Sequence, residues 1–209
     1  MRATTAMFGF LMALAWTIPA NAQNVTLDVV DVQFIDGEIV GIRDGSRAAR
    51  FRLKKDEQIL WMDARGIVGG VLTDRRFFAV SSTSAGWQEA RLTRDDGTPR
   101  VELGANILLC ITQKRILGFS GLLGVVSEDR LSPGEMIVKS GVNEHVASVV
   151  TNRRAIGFSS RFAYGVEFRL GVREQFQSLK ILATTATVRT TERLLVFRRS
   201  TGSWADEQF

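Results

Sequence analysis

Thr73-Asp74-Arg75-Arg76-Phe77-Phe78, Thr112-Gln113-Lys114-Arg115-Ile116-Leu117, Thr151-Asn152-Arg153-Arg154-Ala155-Ile156 and Thr190-Thr191-Glu192-Arg193-Leu194-Leu195 follow one another at a constant step of 39 residues. Outward from these hexamers, Arg52-Leu53, Arg91-Leu92, Arg130-Leu131 and Arg169-Leu170 keep the same step, and Gln208-Phe209 closes the series. Phe34-Ile35-Asp36-Gly37-Glu38-Ile39 reads as a fainter copy one step of 39 earlier. A fixed period of this kind marks a repeat architecture, in which a unit too small to bury its own apolar face stacks on its neighbours. The units run 15–53, 54–92, 93–131, 132–170 and 171–209.

Each unit reads as strands joined by tight turns. Val71-Leu72, Cys110-Ile111 and Val149-Val150 lead into the polar Thr-x-x-Arg turn, and the chain beyond it alternates, as in Arg154-Ala155-Ile156-Gly157-Phe158-Ser159. One face of that strand carries Arg76, Phe78 and Val80 and their counterparts, and the other carries Ala79, Gly118, Gly157 and Val196. A bulky face opposite a small one suits sheets that pack face to face with close backbone approach. A further strand closes each unit, as in Val126 to Leu131, and a shorter apolar piece such as Ile59-Leu60-Trp61 or Met136-Ile137-Val138 precedes each hairpin. Outside the first residues no amphipathic helix is visible.

Three or four short antiparallel strands per repeat resemble one blade of a β-propeller, and the resemblance is to propeller repeats in general. It implies an all-β, five-bladed β-propeller-like ring, with an irregular β-sandwich or barrel and a β-solenoid as alternatives. The Trp-Asp and Gly-His pairs of one well-known propeller class are absent, so no family's ligands or activity are carried over. Phe209 also fits the aromatic end of an outer-membrane barrel, but it shares a column with Leu53, Leu92, Leu131 and Leu170, and Glu207, Ala205 and Ser203 form no lipid-facing apolar row.

Residues 1–22 read as a secretory signal, with Arg2, an apolar stretch from Ala6 to Ile18, Pro19 and the Ala20-Asn21-Ala22 cleavage site. That stretch is too short to span a hydrocarbon core. The mature domain is expected to run 23–209, beginning with a truncated unit 23–53, and to be periplasmic or extracellular, without a transmembrane segment and monomeric. A lone cysteine forms no internal disulfide, so packing alone must hold an exported chain together. The formal charge is +5, from 27 Lys+Arg against 22 Asp+Glu, without the dense basic runs that phosphate backbones require, so no nucleic-acid partner is expected.

One histidine excludes any site needing two. His145 has no nucleophile signature around it, since Gly118-Phe119-Ser120-Gly121 and Gly157-Phe158-Ser159-Ser160 do not complete a nucleophile elbow. No metal site is expected, because Glu144 beside His145 leaves too few ligands. No cofactor is expected. Cys110 shares its column with valines and reads as a small buried hydrophobe, and Trp87 and Trp204 read as packing residues. The candidate site is the column Arg76, Arg115, Arg154 and Arg193, which symmetry would place on one ring able to hold a carboxylate, phosphate or sulfate. The competing role is ion pairing with Glu89, Glu128, Glu167 and Asp206. At the step of 39, the first unit has Gly37 and Arg50 in those two columns, so both partners are absent together, which favours pairing. The expected function is an exported, non-catalytic binding or scaffold module for a protein or for an anionic or polysaccharide ligand. The alternative is a lyase or hydrolase sited in the channel that uses Arg and acidic residues without a histidine-based triad; Asn143, Glu144 and His145 form the only polar cluster peculiar to one unit.

Overall fold

A computed structural model describes residues 27–208; residues 1–22, read above as a secretory signal, residues 23–26 and Phe209 lie outside them. Apolar residues at a period of two put alternate side chains on opposite faces, and the short turns pair each strand with the next. The result is all-β: five antiparallel meanders, laid down in chain order, that stack like propeller blades. The first sheet has β1 (Val30–Ile35), β2 (Glu38–Arg43) and β3 (Ser46–Arg52); the second has β4 (Ile59–Arg65), β5 (Val68–Thr73), β6 (Arg76–Ser81) and β7 (Gln88–Arg91). The third holds β8 (Arg100–Leu103), β9 (Ile107–Ile111), β10 (Arg115–Ser120) and β11 (Val125–Arg130). The fourth holds β12 (Ile137–Val142), β13 (Val146–Thr151), β14 (Arg154–Ser159) and β15 (Val166–Arg169). The fifth holds β16 (Phe176–Ile181), β17 (Thr185–Thr190), β18 (Arg193–Arg198) and β19 (Ser203–Gln208). The only helical element among the described residues is a 3-10 turn at Arg94–Asp96, and none of them forms a helix long and apolar enough to cross a membrane.

The first sheet differs from the sequence register. Val30 corresponds to Val68 and Glu38 to Arg76, a step of 38 where the later sheets keep 39. The reason is the second hairpin of that sheet: Glu38 pairs with Arg52, whereas Arg76 pairs with Arg91. Asp44-Gly45 closes the shorter hairpin in two residues, with φ of 48° and 73°, and Asp36-Gly37 closes the hairpin before it with 51° and 81°. Turns with two positive φ values match the right-handed strand twist, which is why Asp-Gly occupies both.

Between sheets the bulky and small faces interlock. Phe119, Phe158 and Phe197 are all at most 3% exposed, and each enters the small face of the preceding sheet. A Cβ on Gly118 would lie 2.7 Å from the Phe158 ring, and one on Gly157 would lie 2.5 Å from that of Phe197. We expect Gly157→Val to destabilise the chain by about 1–3 kcal/mol through overpacking, with partial recovery in Gly157→Val/Phe197→Leu. The urea midpoint checks this, and an unchanged midpoint in the single variant would contradict the contact.

The array changes character at its ends. The residues of the fourth sheet that face the fifth, Val146, Ser148, Val150 and Ala155, are buried. Their counterparts on the outer face of the fifth are Thr185, Thr187, Arg189 and Leu194, all half-buried or exposed. On the outer face of the first sheet Asp31 and Gln33 are exposed, whereas their cross-strand partners Ile42 and Val40 are apolar and Val40 is buried. The polar outer face of the fifth sheet is how a stacked repeat ends without leaving apolar surface in water.

Candidate functional site

The meanders give the array two rims. The Thr-x-x-Arg turns lie on one, and on the other lie the turns between the first and second strands and the loops between the third and fourth.

On the first rim all the candidate arginines make the same set of bonds. The guanidinium Nε donates to a carboxylate nineteen residues upstream: Arg76 to Glu57 at 2.8 Å, Arg115 to Asp96 at 3.0 Å, Arg154 to Glu135 at 2.8 Å and Arg193 to Glu174 at 2.9 Å. Nη2 binds the second oxygen of the same carboxylate, so the fork is bidentate. Nη1 reaches the acid thirteen residues downstream: Glu89 at 3.4 Å, Glu128 at 2.8 Å, Glu167 at 2.5 Å and Asp206 at 3.3 Å. Nη2 also meets the last backbone carbonyl of the preceding sheet, at Arg52, Arg91, Arg130 or Arg169. Each guanidinium therefore clasps its own sheet, the sheet before it and the segment linking them.

The inner carboxylates are fully enclosed. Glu57 accepts hydrogen bonds from Thr73 Oγ1 at 2.7 Å and from the Lys54 backbone at 2.8 Å besides those of Arg76. Asp96, Glu135 and Glu174 repeat this with Thr112, Thr151 and Thr190 and with the backbone of Thr93, Ser132 and Gly171. Burial alone would push these carboxyls up, but for Glu57 and Asp96 the donated hydrogen bonds outweigh it and hold both at about 2. In Glu174 the Arg193 hydrogen bond is the largest influence, with the same result of about 2. The inner column is absent from the sequence reading, although Glu57, Asp96, Glu135 and Glu174 also recur at 39. In the first sheet Glu38 takes the arginine position and binds Arg52 at 2.8 Å and Arg50 at 3.5 Å, so the charges there are exchanged and the pair is present.

The second rim joins the sheets by backbone. Ile67 N donates to Ala105 O at 2.9 Å, Asn106 N to Glu144 O at 2.8 Å and His145 N to Ala183 O at 3.2 Å, each bond crossing to the next sheet. Asn143 binds the Ile181 carbonyl at 3.2 Å and caps the Glu144 backbone at 2.8 Å, so it is occupied in this ladder. His145 Nδ1 lies 3.3 Å from Ser160 Oγ. Burial, and then the charges of Arg199 and Arg161, push the His145 imidazole below its ordinary range, with Glu144 opposing. Among the described residues no group of three or more His, Cys, Asp or Glu is arranged to hold a metal. Cys110 is buried within the second interface, where burial pushes its thiol up to about 12. Trp204 lies tilted against Phe197 with ring centroids 5.3 Å apart and donates to the Val166 carbonyl at 2.8 Å, and Trp87 packs edge-on to Phe51 at 5.2 Å.

The loops of this rim carry side chains that break the repeat. Leu122 and Leu123 are exposed after β10, Tyr164 is 61% exposed after β14 with its ring 6.3 Å from Phe162, and Arg198 ends β18 with Arg199 following it. The earlier sheets have Ser81-Ser82, Ser120-Gly121 and Ser159-Ser160 where Arg198-Arg199 stand.

No known protein family matches the chain, and no curated protein does. Solved structures resemble it in fold. Prp20p from Saccharomyces cerevisiae aligns with 10% identity and a TM-score of 0.41, covering 82% of this chain and 56% of that one. Hsv2 from Kluyveromyces lactis aligns with 11% identity and a TM-score of 0.38, covering 78% and 55%. The N-terminal domain of Nup159 aligns with 12% identity and a TM-score of 0.35, covering 87% and 58%. The chain thus spans little more than half the length of these structures.

Proposed function

We propose that the chain is an exported, non-catalytic binding or scaffold module that presents its second rim to an anionic surface or acidic polysaccharide. The observation that carries this reading is the contrast between the rims. On the first, the repeated ionisable groups are taken up in mutual pairing. On the second, exposed loop residues differ from sheet to sheet over a backbone fixed by inter-sheet hydrogen bonds. Variable loops on a rigid framework are the usual place of recognition. The composition of residues 1–22 supports export, and the net charge of +5 supports an anionic partner.

The test is retention of the full chain on immobilised heparin against a neutral polysaccharide. Salt-sensitive retention on heparin alone, with no new reducing ends in the polymer, is expected. No retention, or cleavage of the polymer, would overturn the reading.

A further inference from the structure

We infer that the cavity between the loops after β14 and β18 is a binding site for a phosphoryl or sulfuryl group, held by Arg161, Arg198 and Arg199 with Thr184, Thr185 and Ser200. This rests on the binding-module reading and names the chemistry of its ligand.

The cavity has a volume of about 350 Å3 and is lined by those six residues. It gathers three guanidinium groups, and among the described residues none of them has a carboxylate within 4.0 Å. The first-rim arginines show what this chain does with a half-buried guanidinium that serves architecture: it supplies two acids and a carbonyl. Arg199 has none of these, and its Nε is buried without any hydrogen-bond acceptor. A donor left in that state costs free energy that an entering oxyanion recovers. Burial and the Arg161 charge also weaken the hold of Arg199 on its proton, the reverse of what happens in the paired column. His145 lies in the same positive field, and the only nearby acid acting on it is Glu144.

The framework does not demand arginine here. Ser120 Oγ reaches the Ser160 carbonyl at 2.6 Å and Ser159 Oγ reaches that of Arg199 at 3.3 Å, so the interfaces at this rim need only a hydroxyl and backbone. At the Arg199 position the other sheets carry Ser160, Gly121 and Ser82, and at the Arg161 position they carry Ser200, Leu122 and Thr83. Forked guanidinium donors flanked by hydroxyls match the several acceptor oxygens of a tetrahedral oxyanion.

The test titrates the full chain with inorganic phosphate and with inorganic sulfate, reading heat and the ring signals of the single histidine by NMR. Saturable binding that raises the His145 titration midpoint, and that weakens at least tenfold in Arg161→Ser/Arg199→Ser, is expected. Serine is the residue other sheets use at the second position, and melting of the double variant checks its fold; should it melt early, Arg161→Ser alone, at an exposed position, serves instead. No saturable binding, or a His145 midpoint indifferent to either ion, would overturn the site. Heparin retention unchanged in the double variant, together with unchanged phosphate and sulfate binding, would overturn it as well while leaving the module reading standing. Tighter binding of a sulfated saccharide than of inorganic phosphate, lost in the same variant, points to a polymer-borne ester; the reverse order points to the free ion, and either supports the site.

Discussion

Arg76→Met lowers stability by about 3–5 kcal/mol, the cost typical of removing one partner from a buried ion pair. The Arg76 side chain is 8% exposed and that of Glu57 is 0% exposed, so the carboxylate left behind keeps only Thr73 Oγ1 and the Lys54 backbone as donors. Methionine fills much of the space but restores neither the bonds to Glu57 and Glu89 nor the approach to the Arg52 carbonyl. The guanidinium also lies over the Phe78 ring at 4.5 Å, and that contact goes too. Glu89→Gln touches the same arginine from a side chain that is 39% exposed, at 3.4 Å, and is expected to cost less than about 1 kcal/mol. The double variant Glu57→Gln/Arg76→Met should lose less than its single variants together, since neither partner is then left as a lone buried charge. Denaturant unfolding of the parent and these four variants decides the matter: an additive cycle, or an Arg76→Met loss no greater than that of Glu89→Gln, would contradict the clasp.

The clasp also shows how far the sequence could be read. Contiguous signals carried most of the architecture, because the Thr-x-x-Arg turn places hydrogen-bonded residues three apart on one hairpin and repeats without gaps. The outer acid was accessible because it sits on the strand that pairs directly with the one bearing the arginine, as Ile156 with Glu167. The inner acid was not, since Glu57 reaches Arg76 from the segment before the sheet, at a separation that no turn or strand period prescribes. The change from Glu to Asp96 in the third unit, accommodated by the 3-10 turn at Arg94–Asp96, further obscures the column. The first sheet was misaligned for a local reason: Asp36-Gly37 and Asp44-Gly45 are both strong two-residue hairpin signals, and taking them as turns would have given the shorter hairpin directly. The cationic cavity carries no signal in the repeat columns, because those columns mark residues that recur. Arg161 and Arg199 are informative through what they replace.

Acid should destabilise the chain steeply through the inner carboxylates of the first rim. Glu57, Asp96 and Glu174 are held at about 2 in the folded chain, against ordinary values of 4.5, 3.8 and 4.5, and Glu135 is lowered in the same sense. A folded-state value below the unfolded one means that the unfolded chain binds more protons between the two, so stability rises with pH across that window and falls on acidification. The stabilisation is complete above about pH 5 and is progressively lost as the pH drops toward about 2, at up to about 1.4 kcal/mol per pH unit for each site. Asp129 works the other way, because burial pushes its carboxyl up, with the Arg154 charge opposing and the Glu167 charge adding to the rise. Glu128, lowered chiefly by its Arg130 hydrogen bond, acts in the same sense as the inner four, so one opposing group against five leaves the slope positive. Urea midpoints measured from about pH 6 down to about pH 3 should therefore fall steeply below about pH 4.5. Replacing Glu174 with Gln should lower the midpoint at neutral pH and flatten the acid limb by close to one proton, since that residue no longer titrates. A midpoint independent of pH over this range, or an acid limb as steep in the variant as in the parent, would mean that the inner carboxylates are not the groups whose pairing holds the sheets together.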